Sequence, residues 1–205
     1  MIESPTKSAM DLEAAFESKI AGPLESVLGE RLLAVSYWIL GYDQEGFSVE
    51  QPNASGILFA GLHFEKSTLE VSWGWEKLLR GSDLSYHIQV LPAGQTHGDE
   101  AVTDGNLCEI KDINAALWRN AVGKRLTDAE VIGLQGSPQA VRFSFSGTEV
   151  VIAIGYAGDD LLVGDGDDLL IFSKREWEHQ ESSYGREWEH LWTTSVTRQS
   201  ELSTA

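Results

Sequence analysis

Aspartate and glycine recur at short intervals in residues 158–172, whose sequence is GDDLLVGDGDDLLIF. Loops rich in carboxylates and glycine are typical of calcium sites, and residues 155–163 fit part of the nonapeptide of calcium-binding β-rolls. The fit is incomplete, because Tyr156 stands at the second glycine and the next copy follows after eight residues instead of nine. An EF-hand spacing is also absent, and one turn cannot bury a β-roll core. The sequence therefore predicts no metal site and no cofactor.

A hairpin explains the same stretch better. Residues 161–163 would pair with residues 169–172 across a turn at 164–167, because Asp and Gly tolerate the backbone angles of tight turns. Five aspartates would then crowd onto one turn: Asp159, Asp160, Asp165, Asp167 and Asp168. Crowded like charges are unfavourable when nothing binds beside them. The group is either a solvated acidic loop or the docking site of a basic partner.

Aromatic side chains form a second candidate site. Trp73 and Trp75 point to one face of a predicted strand on either side of Gly74, and Tyr156 takes the place of Trp75 in a related stretch. Aromatic pairs of this kind can stack a small ligand or pack in the core. The three residues therefore mark a possible ligand pocket.

No catalytic residue is assigned from the sequence. His179 and His190 each follow a glutamate but stand eleven residues apart, too far for one metal ion on a helix. There is no G-x-S-x-G motif, no phosphate-binding loop and no dinucleotide-binding glycine pattern. The only cysteine, Cys108, has no base beside it and is interpreted as a structural thiol.

The charge balance limits the partners. The chain has 15 Lys and Arg against 32 Asp and Glu, a formal net charge of −17. A negative field opposes binding to nucleic acid and anionic membranes and favours a basic protein. A single cysteine, no apolar run of about 20 residues and no visible signal peptide predict a cytoplasmic location.

The chain also repeats itself weakly. Residues 64–75 align without a gap to residues 145–156, which brings Phe64 onto Phe145 and Gly74 onto Gly155. Upstream of each stretch stands a Gly-x-Arg-Leu segment, at 29–32 and 123–126. The matched order of glycines and alternating apolar residues predicts a duplicated unit.

Each unit is predicted to contain a helix followed by four strands. The helices are expected at 11–28 and 110–122, and the strands near 31–40, 56–64, 68–75 and 85–91, and near 125–134, 139–146, 148–156 and 168–173. An aromatic stripe at Trp177, Tyr184, Trp188 and Trp192 predicts a C-terminal helix. The fold class is therefore α+β, a duplicated helix plus mostly antiparallel sheet. Its units are 10–91 and 110–193, with a linker at 92–109 and flexible tails at 1–9 and 194–205.

Two functions fit these features. The first is an acidic cytosolic protein-interaction module that neutralises a basic partner, in the manner of a bacterial toxin-immunity protein, because the chain is small and acidic and lacks a catalytic motif. The second is a small-ligand-binding protein or enzyme with a pocket between the two units. The sequence leaves the identity of the partner or ligand open.

Overall fold

The computed structural model describes residues 14–41, 46–54, 56–74, 86–94, 107–157, 162–164, 166–183 and 187–196. Its strands are β1 (Leu32–Leu40), β2 (Ile57–Phe64), β3 (Thr68–Gly74), β4 (His87–Pro92), β5 (Leu107–Ile110), β6 (Leu126–Leu134), β7 (Ser137–Phe145), β8 (Thr148–Tyr156), β9 (Leu162–Val163), β10 (Asp168–Ser173) and β11 (Trp188–Ser195). Its helices are a π-helical turn α1 (Glu17–Ala21), α2 (Gly22–Ser26), a 3-10 turn (Pro52–Ala54), α3 (Ala116–Arg119) and α4 (Lys174–Ser183). Within these ranges, no helix is long and apolar enough to cross a membrane.

The eleven strands of the described residues form one antiparallel sheet. Strands β1 to β4 make one meander, and β6, β7, β8 and β10 make a second. Strand β5 extends the first meander beside β1, and β11 extends the second beside β6. The sheet curls into a half-barrel around the main core, to which both halves contribute.

The strand pairs of the two halves share one register. Leu32 pairs with Phe64 across β1 and β2, and Leu126 pairs with Phe145 across β6 and β7. Both ladders shift register directly after this pair and again near the end of β1 or β6. The β3–β4 and β8–β10 ladders match in the same way, at an offset of 81 residues. Phe64 and Phe145 therefore occupy equivalent positions; the origin of this symmetry in a duplication stays a prediction.

Alternation of apolar and polar residues decides which face of each strand is buried. In β7, Val141, Phe143 and Phe145 point into the main core, whereas Arg142 and Ser144 between them are half-buried on the other face. A smaller apolar cluster covers this other face in the second half. There Trp177 of α4 packs between Phe172 and Trp188, with ring centroids 5.8 and 5.1 Å away.

A reciprocal seam joins the starts of β1 and β6. The amides of Gly29 and Gly123 donate to carbonyls at the starts of β6 and β1, over 2.8 and 2.7 Å. The Arg31 guanidinium donates to the carbonyl of Gly123, and that of Arg125 donates to the carbonyl of Gly29, both over 2.5 Å. The two glycines have φ angles of +79° and +85°, in the left-handed region that favours glycine. The Gly-x-Arg-Leu segments of the sequence are thus the contact between the halves.

The strand predictions are confirmed, but the α+β class with a C-terminal helix is wrong: the fold is mostly antiparallel sheet with few short helices. The described part of the first predicted helix is helical without a break over residues 14–26, with a π-helical turn at Glu17–Ala21 that runs into α2 at Gly22. The second shrinks to the single turn α3, because Ile110 at its predicted start belongs to β5. Strand β5 also begins inside the predicted linker, and its pairing with β1 explains why that stretch holds a short apolar segment.

The aromatic stripe is divided between two elements. Trp177 lies on α4, whereas Trp188 and Trp192 lie on β11, and Tyr184 falls outside the described residues. A register shift between His190 and Trp192 turns the two tryptophans to opposite faces of the sheet. Trp188 packs on the smaller cluster and Trp192 on the main core. A spacing of four residues fits one face of a helix, but it does not distinguish a helix from a bulged strand.

The acidic stretch is a crossover and not the predicted hairpin. Strand β9 pairs with the end of β8, with Val163 opposite Gly155, while β10 pairs with the other side of β8, with Asp168 opposite the same glycine. The chain therefore passes from one side of β8 to the other. Gly166 lies at the crossing, where an added Cβ would be 2.1 Å from the carbonyl oxygen of Gly155. A glycine is needed here because two backbones touch.

We expect Gly166→Ala to destabilise the protein by about 1–3 kcal/mol, the usual cost of forcing atoms into a packed site. Urea unfolding at equilibrium measures this change in the free energy of unfolding. The neighbouring exposed Asp167→Ala serves as the control and should cost less than about 0.5 kcal/mol. Equal stability of the two variants would show that the backbones do not meet at Gly166.

Candidate functional site

The predicted acidic site is only partly within the described residues. Three of its aspartates lie outside them: Asp159, Asp160 and Asp165. Asp167 is exposed. Asp168 is half-buried, and one of its carboxylate oxygens accepts a hydrogen bond of 2.9 Å from the amide of Ala157. Asp168 therefore supports the end of β8, and a partner-binding role for the five aspartates stays a prediction.

The predicted aromatic pocket is only partly within the described residues. Trp73 is partly buried against the main core and meets Tyr86 edge-on, with ring centroids 5.5 Å apart. Tyr156 ends β8 with 46% of its surface exposed. Trp75 lies outside the described residues. Neither Trp73 nor Tyr156 lines the groove that follows.

An open groove of about 880 Å³ lies between the two halves. Tyr37 from the first half and Phe145 and Ile171 from the second lie at its bottom, each no more than 3% exposed. Tyr37 and Trp118 are buried beneath it, and the indole N–H of Trp118 donates a hydrogen bond to the Tyr37 hydroxyl. Burial raises the pKa of Tyr37, against the smaller opposite effect of that hydrogen bond. The Tyr37 hydroxyl is thus held in its neutral form.

One wall of the groove is a loop of the first half that reaches across to the second. The side-chain amide of Asn53 donates to the carbonyl of Ile171 over 2.8 Å and accepts from the amide of Ile171 over 2.6 Å, as a neighbouring strand would. Further along, the carboxylate of Glu50 accepts a hydrogen bond from the amide of Ala116 and lies 3.7 Å from the Arg119 guanidinium. These contacts hold the loop against β10 and α3.

The opposite wall is the start of α4 beside the β7–β8 turn. The carboxylate of Glu176 accepts hydrogen bonds from the amide and hydroxyl of Ser173, both over 2.7 Å. This reciprocal Ser-x-x-Glu arrangement is a capping box, which fixes where the helix begins. Lys174 donates to the carboxylate of Glu149 over 2.8 Å, and this hydrogen bond raises the pKa of Lys174. Carboxylates and cations therefore alternate along the rim.

Helix α4 is held on the sheet by a partly buried ion network. Arg142 lies 2.7 Å from the carboxylate of Glu130 and 3.5 Å from that of Glu181. Glu181 also accepts a hydrogen bond of 2.5 Å from the Trp177 indole, and His190 of β11 pairs with Glu130. The network fixes the helix whose first residues form the rim of the groove.

Asp128 on β6 lies near two other carboxylates, those of Glu130 and Glu149. Partial burial raises the pKa of Asp128, the nearby carboxylates of Glu130 and Glu149 raise it further, and the Arg142 guanidinium opposes them. Burial is the largest of these effects, so the charged form of Asp128 is disfavoured chiefly by its loss of hydration.

The described residues contain no group of three side chains suited to a metal ion. The His63 ring lies between two hydroxyls, with Nε2 2.8 Å from Ser36 and Nδ1 3.2 Å from Thr68. Ser36 is 1% exposed, and the other ring nitrogen of His63 contacts the Thr68 hydroxyl in the place where a catalytic triad has a carboxylate. This arrangement therefore links three strands and does not present an activated nucleophile.

Sequence reasoning missed the groove, although two signals for it were present. Ser173 followed by Glu176 is a helix-start signature. The offset between matching strands is 94 residues at β1 and β6 but 81 at β2 and β7, so the first half holds thirteen extra residues between its first two strands. That insertion contains the loop wall. No protein-family model, curated protein or solved structure matches the chain.

We expect Asn53→Ala to free the loop from β10 and to lower the free energy of unfolding by about 1–3 kcal/mol, the cost of two lost hydrogen bonds. The sharper readout is hydrogen exchange at the Ile171 amide, which should become faster. Asn53→Asp keeps the acceptor for that amide and should have a smaller effect. Unchanged exchange at Ile171 in Asn53→Ala would contradict this role of the loop.

We expect Asp128→Asn to stabilise the protein at neutral pH. A carboxyl whose pKa is raised on folding destabilises the folded protein once the same group ionises in the unfolded chain. This cost appears as the pH rises above the ordinary pKa of 3.8 and is absent below it. Thermal unfolding should show a higher midpoint for the variant at pH 7 and no difference at about pH 3. Asp167→Asn controls for charge removal, and a gain that persists in acid would point to another cause.

Proposed function

We propose that the protein is a cytosolic, non-enzymatic interaction module that binds a basic protein partner, in the manner of a bacterial toxin-immunity protein. The observation that carries the proposal is the formal net charge of −17. A field of this sign attracts a cationic protein surface, speeds its association and repels nucleic acid.

The groove supports binding more than catalysis. Its three carboxylates are each held in a structural contact: Glu50 at the start of α3, Glu149 by Lys174, and Glu176 in the capping box. A general acid or base must be free to exchange a proton with the substrate. In the part of the chain that the structure describes, the groove thus offers shape and charge without an evident reacting group.

A small molecule is the second candidate ligand. The volume of about 880 Å³ falls within the range of ligand pockets, and both halves contribute to the lining. Thermal unfolding against a metabolite library separates the two functions. A small molecule that raises the unfolding temperature of the wild type, but not of a variant with the groove filled, would favour the second.

We expect the acidic crossover to speed partner association. Capture from native lysate should yield a basic protein, and the variant Asp159→Asn, Asp160→Asn, Asp165→Asn, Asp167→Asn should associate with it more slowly at low salt. Asp168 is left intact because it supports β8. The difference between variant and wild type should shrink at high salt, where exposed charges are screened.

A matched variant removes the same charge elsewhere: Glu17→Gln, Glu25→Gln, Glu178→Gln, Glu187→Gln, all at exposed positions. A slower rate for the crossover variant than for this control locates the contact. If the two variants associate at equal rates, the slower association comes from the loss of overall negative charge, and the crossover is not part of the interface. Capture of acidic proteins alone would contradict the proposed function itself.

A further inference from the structure

Strand β11 forms one end of the sheet. It pairs with β6 on one side, and no strand of the described residues pairs with its other side. With eight residues it is the longest strand at an edge of the described sheet, since β4 has six residues, β5 has four and β9 has two. An edge of this kind presents backbone N–H and C=O groups with which a strand of another chain can pair.

The sequence of β11 does little to protect this edge. Natural edge strands often carry lysine or proline, which discourage pairing with another chain. Strand β11 reads WEHLWTTS and has neither, whereas β4 ends at Pro92 and β5 is followed at once by Lys111. The register shift between His190 and Trp192 is a protective feature, but residues 192–195 after it follow β6 in regular register. Strand β11 is therefore the edge best suited to accept a further strand.

Apolar side chains are only half covered along the same edge. Leu191 and Trp192 are partly buried where they pack against the main core, and Trp188 is partly buried on the smaller cluster of the opposite face. Inside a sheet, side chains are also covered by their neighbours on the adjacent strands. A further strand beside β11 would thus remove apolar surface from water on both faces of the sheet.

The charges at this edge favour a basic segment. Glu189 on β11 and Glu187 just before it are both exposed. Neither has an ion-pair partner in the part of the chain that the structure describes. Glu189 accepts a hydrogen bond of 3.1 Å from the amide of Gly136, which leaves its carboxylate with further acceptor positions. The whole-chain charge of −17 has the same sign and attracts Lys and Arg to the edge.

From these observations we infer that an extended segment of the basic partner adds to β11 as a further strand of the sheet. In this mode of recognition, backbone hydrogen bonds supply affinity and alternate side chains supply specificity. A Lys or Arg opposite Glu189 and an apolar side chain beside Trp192 would match the edge. The inference rests on the proposed function and specifies which part of the partner is bound and where.

A random peptide library on phage tests the inference without a known partner. The peptides have about 12 residues, enough to span the eight residues of β11 in an extended conformation, and the bait is the full-length protein. Enriched peptides should carry Lys or Arg and alternate apolar with polar residues. With synthetic copies bound, fast-exchanging backbone amides of residues 188–195 should become protected, and intermolecular nuclear Overhauser effects should join these residues to the peptide backbone.

Two matched variants locate the contact. His190→Lys places a lysine at the edge, where the native side chain is 65% exposed, and its ammonium can still contact the Glu130 carboxylate. His179→Lys makes the same change at an exposed position of α4. We expect at least about tenfold weaker binding of basic peptides to His190→Lys, or 1.4 kcal/mol, and no loss with His179→Lys. Thermal unfolding of both variants confirms that they fold.

The outcomes separate the edge from the proposed function. Basic peptides that bind as helices, or that bind His190→Lys as tightly as wild type, would overturn the role of β11 and leave the proposed function standing. A wild-type dimer in sedimentation that His190→Lys dissociates would do the same, because a second copy would then occupy the edge. Enrichment of acidic peptides, or of none above background, would count against both. Extended basic peptides whose binding is weakened by His190→Lys support both.

Discussion

The reciprocal seam between Gly29 and Gly123 is the constraint on which the rest of the fold depends. The backbone of each segment donates to the first strand of the other half, and Arg31 and Arg125 repeat the exchange through their side chains. Left-handed glycines allow each chain segment to turn directly into its strand. Because both meanders start from this seam, their inner faces are directed at one shared core.

The seam also explains how equivalent positions can hold opposite charges. Glu30 and Lys124 match each other, and each holds the turn between the second and third strands of its own half, β2–β3 or β7–β8. Glu30 accepts a hydrogen bond of 3.0 Å from the amide of Lys66, whereas Lys124 donates one of 2.8 Å to the carbonyl of Ser146. A turn exposes both donors and acceptors, so either charge can satisfy it. The symmetry is one of backbone geometry and tolerates a different side-chain chemistry.

Sequence patterns predicted the strands well and the helices poorly, for a physical reason. Strands such as β7 bury every second residue, and this alternation is visible in Val141, Phe143 and Phe145. Helix α3 has only four residues, little more than one turn, and Trp188 and Trp192 fit either spacing. The crossover depended on which side of β8 the chain passes, and the groove depended on contacts between Asn53 and Ile171, residues distant in sequence. Secondary-structure propensity depends on residues close in sequence, so it predicts neither of these long-range contacts.

The candidate site arises where the symmetry ends. A symmetric pair of meanders, each covered by its own helix, would have a closed core and no groove. The first half instead has thirteen more residues between its first two strands, and the second half uses the segment before α3 as an edge strand. The insertion builds one wall of the groove. The backbone amide and carbonyl of Ile171 are both hydrogen-bonded to the side chain of Asn53. The groove therefore leaves no unpaired backbone group at that position. Phe145 and Ile171 stay buried at the bottom of the groove, so the groove is a polar-walled depression above a closed core.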